Sequence, residues 1–282
     1  MNLTNINELK RLLEGEGFSF KKSLGQNFLI DSTVCPKMAD ASADQETGVV
    51  EIGPGAGVLT RELAKRAKKV IAIELDERLR PILQKTVGEF DNTKVIFADV
   101  LKTDIKELIK TEFADCKRVT ICANLPYYIT SPIVMGLLEQ KLNIESITVM
   151  VQKEAADRLC AQVGTRESGA VTVAVRYYAQ AEILFKVPRG CFLPSPNVDS
   201  AVIKLNILPN PPIKVHDEQK FFALIKACFA QRRKTLVNTV FNTMGINKET
   251  LKNALKEIGL TETVRSEQLT MENLCDLANV LF

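Results

Sequence analysis

A glycine-rich turn and two acidic residues are the features of this chain best suited to hold a nucleoside. The turn contains Gly53, Gly55 and Gly57, and glycine lets a backbone pass close to a ligand in conformations that larger residues avoid. Glu74 closes the next apolar run, where its carboxylate can accept both hydroxyls of a ribose. Asp99 closes the run after that, where it can accept the exocyclic amine of an adenine. We therefore expect these residues to bind an adenosine-containing cofactor.

The spacing of the glycines separates two classes of cofactor. The dinucleotide fingerprint G-x-G-x-x-G would require a glycine at Val58. Residues 51–57 (EIGPGAG) instead fit E-x-G-x-G-x-G, which is typical of S-adenosyl-L-methionine-dependent methyltransferases, whose cofactor has no pyrophosphate. The predicted cofactor is therefore S-adenosyl-L-methionine, and a nicotinamide cofactor is the weaker alternative.

Residues 124–127 (NLPY) are the candidate catalytic motif, because they resemble the [DN]-P-P-[FYW] motif of amino-methyltransferases. The lone pair of an adenine amine is delocalised into the ring, so a catalyst must favour the pyramidal, partly cationic nitrogen of the transition state. The side-chain oxygen of Asn124 and the backbone carbonyl of Leu125 can accept the amine hydrogens. Pro126 fixes the chain direction, and Tyr127 offers a face to a base removed from its stack.

These motifs follow the apolar runs of a predicted α/β domain. The runs at 49–52, 70–74, 95–98, 119–123 and 147–151 alternate with helix-period stretches at 58–67, 77–87, 105–111 and 133–140. Apolar strands separated by helices indicate a parallel sheet covered on both faces, whose ligands sit at the carboxyl ends of the strands. Runs at 170–179 and 198–205 are predicted to complete this Rossmann-like sheet, which gives a first domain of residues 1–207.

A change of character follows the proline-rich linker 208–212 (LPNPP). Beyond it, apolar residues recur with helical spacing, and Asn247 and Thr270 are candidate helix N-caps. The sequence therefore predicts a small helical C-terminal domain over residues 208–282.

Composition excludes several classes of protein. The 282 residues are 46% apolar, lack a membrane-span pattern and begin without the layout of a signal peptide, so a cytoplasmic protein without a membrane partner is expected. Seven cysteines without close pairs favour reduced thiols. A single histidine, His216, argues against a Ser-His-Asp triad or a histidine metal centre, and no metal site is expected.

The charge of the chain is unevenly distributed. The net charge is only +3, yet residues 183–248 hold ten Lys and Arg against three Asp and Glu. Within them, residues 219–248 contain six basic residues and no acid, including Arg232, Arg233 and Lys234. We predict an RNA-binding segment here, with a solvated helix face as the alternative.

Taken together, the motifs resemble the ribosomal RNA adenine dimethyltransferase family over nearly the full length. Besides the glycine turn and residues 124–127, the resemblance rests on residues 22–29 (KSLGQNFL), 192–200 (FLPSPNVDS), 231–234 (QRRK) and 265–269 (RSEQL). It implies that Asn27 and Leu29, with Gly53, Glu74, Asp99 and Asn124, line the cofactor site. It also implies that Phe192 covers the second face of the flipped adenine, although plain core packing is the alternative.

The resemblance further implies a substrate and a partner. Two adjacent adenines in a 3′-terminal hairpin of small-subunit rRNA would each be dimethylated, with the immature 30S subunit as the partner and a monomeric enzyme. Many relatives carry lysine where this chain has Asn197. Two alternatives remain open: a large-subunit rRNA methyltransferase of the macrolide-resistance type, and a non-catalytic RNA-binding assembly factor.

Overall fold

The computed structural model describes residues 1–21, 26–231 and 233–282. Residues 22–25 of the amino-terminal motif and the predicted RNA-binding residue Arg232 lie outside the described residues. The described residues form the strands β1 (Phe28–Leu29), β2 (Thr47–Ile52), β3 (Lys69–Glu74), β4 (Thr93–Phe97), β5 (Arg118–Asn124), β6 (Ser146–Gln152), β7 (Ala179–Val187), β8 (Phe192–Leu193) and β9 (Ser200–Ile207).

The helices of the described residues lie between and after these strands. They are α1 (Ile6–Gly15), α2 (Val34–Ser42), α3 (Val58–Ala64), α4 (Arg80–Val87), α5 (Ile105–Glu112), α6 (Thr130–Glu139), α7 (Lys153–Cys160), α8 (Ala170–Tyr178), α9 (Glu218–Cys228), α10 (Leu236–Met244), α11 (Lys248–Glu257) and α12 (Met271–Leu281). In the part of the chain that the structure describes, no helix is long and apolar enough to cross a bilayer.

The main sheet has the order β4-β3-β2-β5-β6-β9-β7, and a separate ribbon pairs β1 with β8. Strands β4, β3, β2, β5 and β6 run parallel, whereas β9 pairs antiparallel with β6. Every residue of β2 is buried, as expected for a strand that helices cover on both faces. The predicted parallel sheet is confirmed, and its carboxyl strand ends meet along one edge.

Two hydrophobic clusters cover this sheet and hold its loops in place. One gathers side chains of α2 and α3, such as Met38 and Leu63, with β5 and β6 residues. The other gathers α1 and α4 residues, such as Leu9 and Ile82, with Phe28. Since both clusters reach the segment around β1, burial of apolar surface fixes the amino-terminal segment beside the strand ends.

The chain divides into two compact units. The first comprises Met1–Ala156 and Glu182–Ile207, and the second comprises Asp157–Ala181 and Leu208–Phe282. The sequence suggested a division after residue 207 with residues 157–181 in the first domain, whereas here residues 157–181 cluster with the helical unit. The reason is packing, because the ring of Tyr177 contacts those of Phe221 and Phe222.

The prediction of a strand over residues 170–179 is wrong. These residues form α8, which follows Gly169, and the Thr172 hydroxyl accepts the Gly169 N–H at 3.0 Å. The strand begins only at Ala179. In the second unit the predicted N-caps are confirmed, since the side chains of Asn247 and Thr270 accept backbone N–H groups of α11 and α12.

Candidate active site

A cleft of about 270 Å³ opens at the carboxyl ends of β2, β3, β4 and β5, inside the first unit. Nearly all the site residues predicted in this unit line it. They are Asn27, Leu29, Gly53, Gly55, Glu74, Asp99, Asn124, Leu125, Pro126, Tyr127 and Phe192. The structure therefore brings together motifs that are far apart in the sequence.

The glycine turn after β2 requires its glycines for conformation and for space. Gly53, Gly55 and Gly57 have φ values of 71°, 58° and 87°, in the left-handed region that other residues rarely adopt. A Cβ on Gly55 would lie 3.1 Å from the ring of Phe28. Gly57 does not line the cleft; it packs against α4, where a Cβ would lie 2.8 Å from Thr86. The turn therefore exposes backbone without side chains to the cleft, and it packs against α4 through Gly57.

Glu74 is held by two backbone groups at the end of β3. Its Oε2 accepts the N–H of Gly55 at 3.2 Å, and its Oε1 accepts the N–H of Asp76 at 2.8 Å. The side chain is buried, and burial raises the pKa of Glu74 above its ordinary value while the backbone hydrogen bonds oppose the shift. These bonds aim a carboxylate into the cleft, where it can accept hydroxyl hydrogens.

Glu51 in β2 also lines the cleft, although the sequence did not single it out as a site residue. Both carboxyl oxygens are buried, and no described residue makes a hydrogen bond of normal geometry with them. Burial raises the pKa of Glu51 to about 8. The available signal was its place as the first residue of the E-x-G-x-G-x-G pattern.

Glu51 and the glycine turn together test whether the cleft fits S-adenosyl-L-methionine. An unpaired buried carboxyl is stabilised by a cationic or hydrogen-donating ligand group, and this cofactor carries both a sulfonium and an ammonium. Gly53 and Gly55 present backbone without side chains to the cleft, so a ligand can approach that backbone closely. The residues present fit the cofactor.

Asp99 lies two residues beyond the end of β4. Its Oδ1 accepts the N–H of Leu101 at 3.0 Å, and its Oδ2 lies 3.6 Å from the ammonium of Lys102. The side chain is 32% exposed and lines the cleft, so its carboxylate can accept a further hydrogen bond from a ligand amine.

The amino-terminal segment joins the site through the β1–β8 ribbon. Phe28 pairs with Leu193 and Leu29 pairs with Phe192, and the N–H of Ile30 donates to the carbonyl of Cys191 at 2.8 Å. This ribbon sets Asn27 and Leu29 beside the strand ends. The sequence alone predicted only a loop before a helix here, because a two-residue strand has no periodicity.

Asn124 is the last residue of β5 and donates a long hydrogen bond from Nδ2 to the carbonyl of Asn27, at 3.4 Å. The orientation of its amide leaves Oδ1 as the acceptor. Among the described residues, no donor to Oδ1 is found. The N–H of Leu125 donates to the carbonyl of Met150 in β6 at 3.3 Å, which anchors the turn and leaves the Leu125 carbonyl as a second acceptor.

The aromatic residues near this turn differ in exposure. Tyr127 begins a one-turn helix, Tyr127–Ile129, and is half-buried, with its hydroxyl 2.7 Å from Ser200 Oγ. Tyr128 is 57% exposed. Phe192 is only 3% exposed and packs in the core cluster with Leu29, although it also lines the cleft. The alternative of core packing is therefore observed for Phe192, and stacking on a base remains a prediction.

The predicted RNA-binding residues that the structure describes lie outside this cleft. Arg233 and Lys234 belong to the second unit and are exposed, in a turn that precedes α10. The N–H of Lys234 donates to the carbonyl of Gln231 at 3.1 Å. Their role remains a prediction from charge.

The parallel sheet, with its nucleoside-sized cleft at the carboxyl strand ends, has the Rossmann-like fold of S-adenosyl-L-methionine-dependent methyltransferases. Two solved structures share it. A dimethyladenosine transferase from Plasmodium falciparum is 26% identical with a TM-score of 0.73, and the match covers 89% of this chain and 95% of that one. The 23S rRNA methyltransferase ErmE is 27% identical with a TM-score of 0.67, over 90% and 99% of the two chains.

Sequence comparisons narrow this class to one family. A model of the family described as ribosomal RNA adenine dimethylase matches residues 17–282. A ribosomal RNA small subunit methyltransferase A from Geobacillus thermodenitrificans is 49% identical over 96% of this chain and 94% of its own length. A protein of the same name from Bacillus mycoides is 48% identical over 99% of this chain and 97% of its own length. The chain belongs to the ribosomal RNA adenine dimethylase family, a family of enzymes, as its motifs predicted.

Proposed function

We propose that this enzyme uses S-adenosyl-L-methionine to dimethylate the N6 amines of two adjacent adenines in a 3′-terminal hairpin of small-subunit rRNA. The reaction class is supported mainly by one observation: Asn124 and Leu125 present two acceptors at the cleft that also carries the glycine turn. The subunit is supported by relatives at 48–49% identity, which are named for the small subunit. The structure of the 23S enzyme ErmE is only 27% identical.

In this proposal the strand-end residues hold the cofactor. Glu74 binds the ribose hydroxyls, Asp99 binds the adenine amine, and the glycine turn passes along the ligand with Asn27 and Leu29 on the other side. When bound, S-adenosyl-L-methionine supplies an electrophilic methyl group on its sulfonium. Glu51 offers its buried carboxyl to the positive charge of the ligand.

The target base is held by the turn after β5. Asn124 Oδ1 and the Leu125 carbonyl accept the two hydrogens of the amine, which favours a pyramidal nitrogen whose lone pair is free to attack. The amine nitrogen would take the methyl group as the carbon–sulfur bond of the cofactor breaks, S-adenosyl-L-homocysteine would leave, and the cationic nitrogen would release one proton to solvent. Tyr127 stacks on one face of the base, and Phe192 closes the other side of the cleft.

The RNA partner is proposed to bind through basic residues of the second unit. Arg233 and Lys234 are exposed, and residues 219–248 contain no acid that would oppose contact with phosphate. The immature 30S subunit is the proposed form of the substrate. Cytoplasmic location and a monomeric state stay predictions from the sequence.

The test is methyl transfer from labelled cofactor by the purified full-length chain. Small and large ribosomal subunits that lack the modification are offered separately, and the labelled nucleosides are identified by mass spectrometry after digestion. We expect N6,N6-dimethyladenosine from small subunits. Label confined to large subunits would show that the substrate is that of the ErmE-like enzymes. Absence of label from both, with the cofactor still bound, would favour a non-catalytic assembly factor.

A further inference from the structure

The hydroxyl of Tyr127 contacts Ser200, a residue to which the sequence motifs assigned no role. Ser200 Oγ lies 2.7 Å from the Tyr127 hydroxyl oxygen, and Ser200 is fully buried at the start of β9. Ser200 pairs with Gln152, the last residue of β6. The contact therefore joins the turn after β5 to a rigid position two strands away in the same sheet.

Tyr127 needs such an anchor because the backbone does not fix its ring. The main chain is held on both sides, by the bond from the Leu125 N–H to the Met150 carbonyl and by the turn Tyr127–Ile129 that leads into α6, but these contacts leave the side-chain rotamer open. The ring is half-buried and lines the cleft, and its hydroxyl is the atom through which the sheet can hold the ring in position. A hydrogen bond at the far end of the ring opposes rotation about the Cα–Cβ bond, which would swing the ring out of place.

We propose that Ser200 is a positioning residue for catalysis, which holds the Tyr127 ring at the position where the target adenine stacks on it. The inference rests on the proposed function, since it concerns the base-binding residue of that site. Burial raises the pKa of the Tyr127 phenol, so its hydroxyl stays protonated and the bond persists throughout the usual assay range.

The experiment compares Ser200→Ala, Tyr127→Phe and the double variant in methyl transfer to small subunits. A hydrogen bond between neutral groups corresponds to about a 3- to 10-fold effect, and we expect each single variant to lose this much kcat. Because both changes remove the same bond, the double variant is expected to lose no more than the larger single loss. Cofactor affinity, measured by calorimetry, should stay unchanged in all three, and Ser200→Thr should recover activity by restoring the hydroxyl.

Ser146→Ala is the matched control. Ser146 is equally buried in β6 and pairs with Asn206 at the opposite end of the β6–β9 ladder, and no described residue makes a hydrogen bond with its hydroxyl. This variant should keep the wild-type kcat.

Two results would overturn the role of Ser200. One is that the losses in the two single variants multiply in the double variant, because the residues would then act independently. The other is that Ser200→Ala lowers the melting temperature and weakens cofactor binding without lowering kcat, which would be a structural role only. If Ser200→Thr fails to fold, Tyr127→Phe still decides the question, since it removes the bond from the other side. A wild-type chain that methylates no RNA would instead contradict the proposed function.

Discussion

The Glu74 carboxylate accepts the N–H of Gly55 at 3.2 Å, so a hydrogen bond joins the acid at the end of β3 to the glycine turn after β2. The same carboxylate accepts the N–H of Asp76 at 2.8 Å. Glu74 therefore stabilises the turn whether or not a cofactor is present. Substitution of Glu74 removes a proposed ligand contact and loosens the surface on which that ligand would lie.

We predict that Glu74→Ala weakens S-adenosyl-L-methionine binding by about two to four orders of magnitude. Hydrogen bonds to a charged group contribute about 1.5–3 kcal/mol each, and the variant would lose two such bonds to the ribose hydroxyls. Titration calorimetry measures the change. Glu62→Gln is the control, because Glu62 in α3 pairs with Lys65 and Arg66 just beyond the end of that helix, and this variant should keep the wild-type affinity. An affinity of Glu74→Ala within threefold of wild type would contradict the assignment.

Asn124→Ala is expected to lower kcat by about 10²–10³-fold, the usual cost of removing one group that stabilises transition-state charge. Asn124→Asp keeps an acceptor oxygen and should retain more activity than the alanine variant. Single-turnover methyl transfer with saturating cofactor and small subunits separates this chemical effect from binding. Equal activity of the alanine and aspartate variants would show that the acceptor is not the relevant group.

Gly57→Ala should destabilise the first unit by about 2–4 kcal/mol, since it adds a left-handed residue and a collision with α4. The added Cβ would lie 2.8 Å from both Thr86 and Val87. Gly136→Ala in α6 is the matched control, because nothing lies within 4 Å of its added Cβ and alanine favours a helix. Thermal unfolding should show a lower melting temperature only for Gly57→Ala.

Glu51 predicts a pH dependence of stability. The folded carboxyl holds its proton up to a pKa of about 8, against an ordinary value of 4.5. Between these values the folded chain binds more protons than the unfolded chain, so this group lowers the stability as the pH rises from 4.5 to 8. Glutamine does not titrate. The free energy of unfolding of Glu51→Gln, relative to that of the wild type, should therefore increase by on the order of a few kcal/mol from pH 5 to pH 8.

Melting temperatures of both proteins without cofactor, measured at intervals over this range, check the prediction for Glu51. The difference between the two curves is the informative quantity, because it cancels the other titrating groups. A constant difference across the range would mean that Glu51 ionises normally.

Replacing Arg233 and Lys234 by alanine together should flatten the salt dependence of small-subunit binding. Each lost phosphate contact reduces the slope of log K against log salt by about 0.7–0.9, so the double variant should lose about 1.5. Lys252→Ala is the control, because its ammonium lies 3.1 Å from Glu249 and 3.2 Å from Glu262. An unchanged slope in the double variant would show that these residues do not contact phosphate and belong to a solvated surface.

The parallel strands could be predicted because buried strands appear in the sequence as continuous apolar runs. The motifs could then be placed at the carboxyl ends of those strands. It mispredicted α8 because valines at 171, 173 and 175 favour a strand locally. Packing against α9 and the Thr172 hydroxyl at the N–H of Gly169 override that preference. The sequence signal for the start of α8 was Gly169 followed by Thr172, a weaker pattern than the repeated valines.

Two parts of the site were beyond sequence reasoning for different reasons. The pairing of Leu29 with Phe192 is a tertiary contact between short segments, so no periodicity announces it. Glu51 carries a signal in the motif, but its unpaired burial depends on the strands and helices around it. Both omissions concern how distant segments surround the cleft.

The β1–β8 ribbon has a consequence for synthesis of the chain. The glycine turn and the acids at the ends of β3 and β4 emerge early from the ribosome, but Phe192 and Leu193 emerge only near the end of the first unit. Contacts between such distant segments form late, because the loop between them must close first. A nascent chain that ends before β8 therefore carries most of the proposed cofactor-binding residues yet lacks the strand that holds Asn27 and Leu29 in place.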